Sequence, residues 1–310
     1  MTISQSRGIK FASIDIGSNA VRLLLARVFD NGDSPHFRKE SLVRIPIRLG
    51  EDVFTSGGIS EQKRRSLLCT MVAYKNLMEA YGSVDYIACA TSAMREADNG
   101  NEIMESIRNE AGIELTIIDG HREAEIICRN HPITKSDKDR RFLFVDVGGG
   151  STEIAIFIDN HVVDSSSFKI GGVRILSDGV DKEQWKEMKR WIKEFTAPHL
   201  PLVAVGSGGN INKAFSLARK KEGETFTYKK LNSIYKSLRS HSYEELVQNY
   251  NMRPDRADVI VPALEIYLSV MKWAKTEEMV VPVRGLSDGL IHLLYDRYRN
   301  GNGSDRTTTL

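Results

Sequence analysis

The sequence predicts an α/β protein built from two related domains, and three observations lead to this prediction. Strand patterns and helix patterns alternate along the chain, as they do in α/β folds. One short motif occurs twice, at 14–19 and at 145–150, with its aspartate and first glycine at matching positions 131 residues apart. The length of 310 residues also allows two domains, since a domain takes about 150 residues.

The repeated motif predicts a β-hairpin in each domain. The first copy joins apolar runs at 11–16 and 21–29, and the second joins runs at 142–147 and 152–158. Short apolar runs of this kind are typical of buried strands. Glycines between two such strands permit the positive φ angles of a tight turn, so we expect that conformation at Gly17 and at Gly148–Gly150.

The remaining elements follow from apolar spacing. Between the hairpins, the spacing predicts helices at 60–81, 99–111 and 122–130 and strands at 84–90 and 114–118. Ser60 is the expected N-cap of the first of these helices, and Gly112 is expected to end the second. After the second hairpin, the spacing predicts helices at 182–195, 210–219, 254–275 and 286–299 and strands at 202–205 and 279–283.

These elements predict the domain boundaries. The first domain is expected to comprise 1–128 together with the closing helix 286–299, and the second domain 129–285. Residues 300–310 offer almost nothing to bury, so we expect them to form a flexible tail.

The composition excludes several classes of protein. Apolar residues make up 41% of the chain and charged residues 27%, which is ordinary globular composition. No 18 consecutive residues are apolar, so we expect no membrane span and no membrane partner. The three cysteines lack CxxC spacing, which argues against a zinc ribbon and a disulfide scaffold. With a polar N-terminus, a net charge of +2 and no DNA or RNA motif, the chain is expected to be cytoplasmic and to bind no nucleic acid.

Three glycine-rich turns follow predicted strands, and such turns expose backbone N–H groups to which a phosphate can bind. They are Gly17-Ser18-Asn19, Gly148-Gly149-Gly150-Ser151 and Gly206-Ser207-Gly208-Gly209. The third turn also opens a helix, whose N-terminus adds partial positive charge. The familiar nucleotide motifs are missing, because no GxxxxGK[ST] occurs and Ile211 replaces the third glycine of GxGxxG.

Six segments resemble, in the same order, the motifs of the Ppx/GppA family of exopolyphosphatases and guanosine pentaphosphate phosphohydrolases. They are Ser13–Leu24, Ala90–Ala97, Ile117–Ala124, Phe144–Ile154, Met252–Ile260 and Arg284–Gly289. Together they extend over nearly the whole chain. The resemblance implies two actin-like (ribonuclease H-like) α/β domains that flank an active-site cleft, a fold for which the duplicated D-x-G hairpin is also typical.

The resemblance implies a role for individual residues. Glu123 matches the glutamate that activates water in the family, and Asp146 and Glu153 match residues that help to hold a divalent cation, which we expect to be Mg²⁺. The three glycine turns are expected to bind phosphate groups, together with Arg22 and Arg95. Asp15 either lies near the cation or orients its turn. Arg122 is a departure from the family, which usually has an acid at this position.

The implied reaction is the hydrolysis of the terminal phosphoanhydride of inorganic polyphosphate, with release of orthophosphate. Guanosine pentaphosphate presents a terminal phosphate to the same residues, so a guanosine pentaphosphate 5′-phosphohydrolase is an alternative. A non-catalytic sensor of (p)ppGpp or polyphosphate is a third hypothesis, which only Arg122 favours. The order of the motifs argues against a fourth, a sugar or acetate kinase. Dimerisation is common in the family, and a homodimer is therefore a further expectation.

Overall fold

The computed structural model describes residues 8–30, 35–128, 141–159, 161–177, 179–221 and 223–301. Contacts divide the chain into a first unit, Met1–Asp119 with Leu286–Leu310, and a second unit, Gly120–Gly285. Across the described ranges, no helix combines the length and the apolar character needed to cross a membrane. Most of the predicted tail, from residue 302 onwards, lies outside the described residues, and so does the domain boundary expected at residue 129.

The first unit contains a five-stranded mixed sheet. Its strands are β1 (Ile9–Ile16), β2 (Val21–Phe29), β3 (His36–Ile45), β4 (Asp85–Ala90) and β5 (Thr116–Ile117). They lie in the order β3-β2-β1-β4-β5, with β1, β2 and β3 antiparallel and β4 and β5 parallel to β1. β1 and β2 form the predicted hairpin, and both are largely buried, as their apolar sequences require.

Helices pack around this sheet, including one from the end of the chain. They are α1 (Leu49–Ser56), α2 (Glu61–Tyr81), α3 (Ser92–Glu96), α4 (Gly100–Ala111) and α13 (Leu286–Arg299). Ser60 precedes α2 as predicted, but its side chain forms no capping hydrogen bond. α13 packs on β1, β2 and β4, and Ser13 Oγ donates a hydrogen bond to the Ser287 carbonyl at 2.8 Å. The two separate parts of the first unit therefore pack against each other.

The second unit repeats this plan in a six-stranded sheet. Its strands are β6 (Phe142–Val147), β7 (Thr152–Ile158), β8 (His161–Phe168), β9 (Val203–Ser207), β10 (Thr225–Thr227) and β11 (Glu278–Val280). Their order is β10-β11-β9-β6-β7-β8. β6, β7 and β8 are antiparallel neighbours and β9 is parallel to β6, just as β1, β2 and β3 are followed by the parallel β4. The duplication therefore extends beyond the hairpins to four strands.

The second unit contains eight α-helices within its described residues. They are α5 (Gly120–Cys128), α6 (Gly172–Leu176), α7 (Lys182–Thr196), α8 (Gly209–Leu217), α9 (Tyr228–Arg239), α10 (Tyr243–Gln248), α11 (Pro254–Ala257) and α12 (Ile260–Trp273). α7 begins with a capping box formed by Asp181 and Gln184 and buries Met188 and Ile192 in the hydrophobic core of this unit. α5 packs on β7 and β8, so it belongs to the second unit, whereas the sequence assigns it to the first domain.

One predicted helix is divided in the structure. The segment 254–275 forms α11 and α12, which are separated at Asp258 and Val259. The reason is Pro262, which lies in the first turn of α12, where a missing N–H costs no hydrogen bond. In a continuous helix the ring of Pro262 would collide with the carbonyl of Asp258, so the helix ends and starts again.

Candidate active site

A row of polar residues crosses the buried part of the second sheet. In the strand register, Asp146 of β6 lies opposite Glu153 of β7 and beside Ser207 of β9, and Glu153 lies opposite Ser167 of β8. Residues in such a row project from the same face of a sheet, with neighbouring Cβ atoms about 5 Å apart. Ser167 Oγ donates a hydrogen bond to Glu153 Oε1 at 2.9 Å. The register of four strands therefore fixes two carboxylates side by side.

Glu123 is brought to this row by the first turn of α5. The helix begins very close to β8, because a Cβ atom on Gly120 would lie only 2.3 Å from the Ser167 side chain and 3.3 Å from Glu153 Oε1. Glycine thus allows an approach that any other residue would prevent. One carboxylate oxygen from each of Glu123, Asp146 and Glu153 lies within 4.8 Å of the others, and all three residues are buried.

This carboxylate cluster fits a hard divalent cation. Three negative charges so close together in a buried place repel one another strongly unless a cation or protons offset them. Carboxylate oxygens are the ligands that Mg²⁺ and Ca²⁺ prefer, and Mg²⁺ sites in enzymes of phosphate chemistry commonly use one or two carboxylates together with substrate oxygens. The donor set is therefore that of a Mg²⁺-type site, and the chemistry of Glu123, Asp146 and Glu153 agrees with the cation that the sequence predicts.

The Gly148–Ser151 turn stands at the end of β6, directly beside the carboxylate cluster. Its Gly148 N–H donates a hydrogen bond to the Ser151 carbonyl at 3.0 Å, and in the first unit Gly17 N–H donates to the Ala20 carbonyl at 3.1 Å. The two turns thus have the same internal bond at matching positions. The predicted positive φ is wrong for Gly17 and Gly148. Among the glycines of the three predicted turns, Gly208 has a positive φ, of 118°.

The first unit carries an ion pair where the second carries two carboxylates. Asp15 of β1 occupies the position that corresponds to Asp146, and Arg22 of β2 occupies the position of Glu153. Arg22 Nη1 lies 2.6 Å from Asp15 Oδ2, and the Asp15 side chain is only 5% exposed. Since a protein cation already offsets the charge of Asp15, the metal-type donor set forms in the second unit, and Asp15 holds Arg22 next to its turn.

Helix α3 places one residue against the first turn and a second residue against the strand end at Ile118. Ser18 Oγ is hydrogen-bonded to Ser92 Oγ, 2.8 Å away at the start of α3, and Ser92 is a residue that the sequence does not single out. Arg95, also on α3, donates from Nη1 to the Ile118 carbonyl at 2.7 Å. This bond holds Arg95 within the first unit, while its contact with phosphate stays a prediction.

The third turn differs from the sequence prediction in where it begins. Gly206 lies inside β9, paired with Val145, and a Cβ atom there would lie 2.5 Å from Met279 Sδ. Its glycine therefore serves packing, and the turn itself starts after Ser207, the last residue of the strand. Gly208 and Gly209 open α8, so their N–H groups lie at the positive end of the helix dipole.

Tyr267 ties the second and third turns together, and the sequence gives no sign of it. This wholly buried side chain on α12 donates a hydrogen bond to the Ser207 carbonyl and accepts one from Val147 N–H at 3.2 Å. Burial, and then the negative charge of Asp146, raise the pKa of Tyr267 well above its usual value, so the hydroxyl keeps its proton. Only the packing of α12 against β6 brings this residue here.

Arg122 points to a neighbour on its own helix. Its Nη1 donates to Glu125 Oε2 at 2.8 Å, an i,i+3 ion pair in which the Arg122 side chain is 31% exposed. The carboxylate cluster therefore keeps its three members although the family's usual acid at position 122 is replaced by an arginine.

Glycine turns beside buried carboxylates are typical of metal-dependent enzymes that act on phosphate groups. Residues 41–297 match the model of the Ppx/GppA phosphatase family, and because this match covers most of the chain, the chain belongs to that family. It is a hydrolase of the phosphatase type. The first glycine turn lies before residue 41 and therefore outside the matched segment. Its assignment as a phosphate-binding turn depends on its similarity to the second turn of this chain.

Relatives extend over most of the chain. It is 26% identical over 294 residues to the bifunctional 3-dehydroquinate synthase/phosphatase of Fusobacterium nucleatum, an alignment that covers 87% of this chain and 44% of that protein. It is 23% identical over 313 residues to exopolyphosphatase 1 of Mycobacterium tuberculosis strain H37Rv, covering 94% of this chain and 90% of that protein. The chain thus spans less than half the length of the first relative and nearly all of the second.

Solved structures confirm the predicted α/β fold class. The crystal structure of an exopolyphosphatase from Cytophaga hutchinsonii superimposes with a TM-score of 0.79 and 25% identity. That comparison covers 93% of this chain and 98% of the other.

Proposed function

We propose that the protein is an exopolyphosphatase, which removes the terminal phosphate of inorganic polyphosphate with the help of Mg²⁺ or another divalent cation. The observation that carries this proposal is the buried cluster of Glu123, Asp146 and Glu153 beside the Gly148–Ser151 turn. Family membership supports a phosphatase reaction. The exopolyphosphatases that match nearly the whole chain support polyphosphate as the substrate.

Each part of the site has a role in this reaction. When bound, the cation would neutralise phosphate oxygens and the charge that develops on them. Asp146 and Glu153 would hold it. The N–H groups of Gly149–Ser151 and of Gly208 and Gly209 bind phosphate oxygens and orient the end of the polymer, while Gly148 N–H closes its turn by its bond to the Ser151 carbonyl. We assign the binding of further phosphate groups of the polymer to Gly17, Ser18, Asn19, Arg22, Arg95 and Ser207.

Glu123 acts as the general base. It accepts a proton from the attacking water while a bond forms between the water oxygen and the terminal phosphorus. The bond between that phosphorus and the bridging oxygen breaks, so orthophosphate leaves and the polymer is one phosphate shorter. A general base typically contributes a factor of about 10² to 10⁴ to the rate.

The experiment is phosphate release from long polyphosphate, tripolyphosphate and guanosine pentaphosphate in the presence of Mg²⁺. For Glu123→Gln we expect kcat to fall by about 10² to 10⁴, because the amide cannot accept the proton, while binding of tripolyphosphate persists. Glu125→Gln is the matched control, since Glu125 lies on the same helix with an exposed side chain.

The outcomes separate the alternatives. Release from polyphosphate that depends on Glu123 supports the proposal, and a clear preference for guanosine pentaphosphate would replace it by a 5′-phosphohydrolase. Tight binding of every substrate without hydrolysis would favour a sensor. Wild-type turnover in Glu123→Gln would remove this residue as the base.

The proposal includes a cytoplasmic location and a homodimer. The first is supported by Cys69 and Cys89, which are free thiols, as is usual in a reducing compartment. Sedimentation velocity of the purified chain measures the second directly.

A further inference from the structure

Three carbonyl groups of the second glycine turn accept hydrogen bonds from α6. Gly172 N–H donates to the Gly148 carbonyl at 3.1 Å, and Val173 and Arg174 N–H donate to the Gly149 carbonyl at 2.8 and 3.0 Å. The third carbonyl, that of Gly150, accepts from Arg174 Nε at 2.7 Å. The start of one short helix thus engages three consecutive peptide groups.

These bonds fix the direction of the N–H groups that face the other way. In a trans peptide, the carbonyl of one residue and the N–H of the next point in opposite directions. Holding the carbonyls of Gly148, Gly149 and Gly150 towards α6 therefore turns the N–H groups of Gly149, Gly150 and Ser151 away from it. Consecutive N–H groups that point to one side form an anion-binding concavity.

The close packing of α6 on the turn requires a glycine before the helix. A Cβ atom on Gly171 would lie 2.5 Å from the Gly149 carbonyl oxygen and 2.6 Å from the Gly150 carbonyl carbon. No other residue fits there without moving the turn.

In the first unit, backbone N–H groups likewise bind two carbonyls of the glycine turn. Gly50 N–H donates to the Ser18 carbonyl at 2.8 Å, and Arg48 N–H donates to the Asn19 carbonyl at 3.1 Å. Ser18 and Asn19 correspond to Gly149 and Gly150 in the repeat. A backbone N–H therefore binds the last carbonyl of the first turn, whereas in the second turn the side chain of Arg174 does so.

We propose that Arg174 is a positioning residue for phosphate binding: its buried guanidinium holds the Gly150 carbonyl and thereby aims Ser151 N–H at a phosphate oxygen of the substrate. The inference rests on the proposed function. Arg174 is 6% exposed, so it acts from behind the turn and has no need to touch the substrate. A charged donor also makes a stronger hydrogen bond than a neutral one, which suits a bond that has to hold a flexible glycine peptide.

The test compares Arg174→Met, Arg174→Lys and the control Arg190→Met, whose arginine is exposed on α7. Met fills a similar volume but donates nothing, so we expect KM for tripolyphosphate and the inhibition constant of orthophosphate to rise about tenfold. Arg174→Lys retains a charged donor and should recover most of this loss. The Mg²⁺ concentration for half-maximal rate should stay within twofold, because the bond that the substitution removes goes from Arg174 Nε to the Gly150 carbonyl and not to a carboxylate. A merely structural defect would not produce this division between phosphate and Mg²⁺.

Direct binding of tripolyphosphate, measured by calorimetry on the full chain, makes the test independent of turnover. The inference would be overturned if Arg174→Met folds and both its inhibition constant for orthophosphate and its affinity for tripolyphosphate stay within twofold of wild type. If Arg174→Met fails to fold, Arg174→Lys and Arg174→Gln are compared instead. Wild-type binding of tripolyphosphate by Arg174→Lys together with tenfold weaker binding by Arg174→Gln would support the inference. Equal binding by the two variants would overturn it. A wild type that binds tripolyphosphate without hydrolysing it would remove the proposed function alone, and one that does not bind it would overturn both.

Discussion

A single charge reversal distinguishes the two copies of the repeated hairpin. Both copies begin with a buried aspartate, but the residue opposite is Arg22 in the first unit and Glu153 in the second. Arg22 cancels the charge of Asp15 at 2.6 Å, whereas Glu153 adds to that of Asp146. One backbone plan thus yields an ion pair in the first unit and a pair of acids in the second, and the pair of acids is the charge that the proposed cation site requires.

Mg²⁺ should stabilise the wild-type protein through the carboxylate cluster. Binding to the folded state alone adds about 2.7 kcal/mol to the free energy of unfolding at a hundred times the dissociation constant. In Glu153→Gln most of this gain should be lost. Without Mg²⁺, the same variant should be more stable than wild type, because one of three repelling charges is gone. Thermal unfolding with and without Mg²⁺ measures both effects.

The control for this prediction is Glu187→Gln, an exposed acid on α7. It should respond to Mg²⁺ as wild type does. Equal stabilisation of Glu153→Gln and wild type would place the cation elsewhere.

At the level of elements, the strands of the hairpins could be predicted to within two residues of their observed bounds, because they are continuous apolar runs. The third strands, β3 and β8, were not predicted, since they are largely polar, β3 is mostly exposed and β8 half-buried, and both lack strict alternation. Pro262 did signal the break between α11 and α12, but the apolar pattern continues across it. Local sequence motifs were enough to predict the site residues Glu123, Asp146 and Glu153. Strand register and helix packing bring Ser167 and Tyr267 to the site, and no local motif indicates them.

One carboxylate helps to hold the connection between α1 and α2. Asp52 Oδ2 accepts from Ser60 N–H at 3.0 Å, and Asp52 Oδ1 lies 2.7 Å from Lys63 Nζ. Burial alone would raise the pKa of Asp52, but the hydrogen bonds from Lys63 and Ser60 outweigh it and lower the pKa below the usual value. A lowered folded-state pKa stabilises the protein above the unfolded-state pKa of about 3.9, and this contribution is lost as the pH falls through the folded-state pKa.

Asp52→Asn should therefore destabilise the protein at pH 7 by roughly 1 to 2 kcal/mol, the usual range for hydrogen bonds to a charged group that is partly exposed. The difference from wild type should shrink below pH 4. Urea unfolding at pH 7 and pH 3 checks this, with the exposed Glu105→Gln as control. A difference that does not depend on pH would show that the charge of Asp52 is irrelevant.

For the whole molecule, the division into two units predicts that damage to one core stays local. Leu290 of α13 is fully buried in the first unit, and Leu→Ala in a core costs about 2 to 5 kcal/mol. In Leu290→Ala, hydrogen exchange should accelerate in β1, β2 and β4 and remain unchanged in β6, β7 and β9. Equal acceleration in both sheets would show that the chain unfolds as one cooperative body.

The interrupted first unit has a consequence for synthesis on the ribosome. β1 and β2 are made early, but α13, which covers them, is made after the whole of Gly120–Gly285. At ~5–20 residues per second, the roughly 250 residues between β2 and α13 take about 10 to 50 s. During that time the nascent first sheet keeps an apolar face open to chaperones, while the second unit, uninterrupted in the chain, has all the residues it needs to fold first.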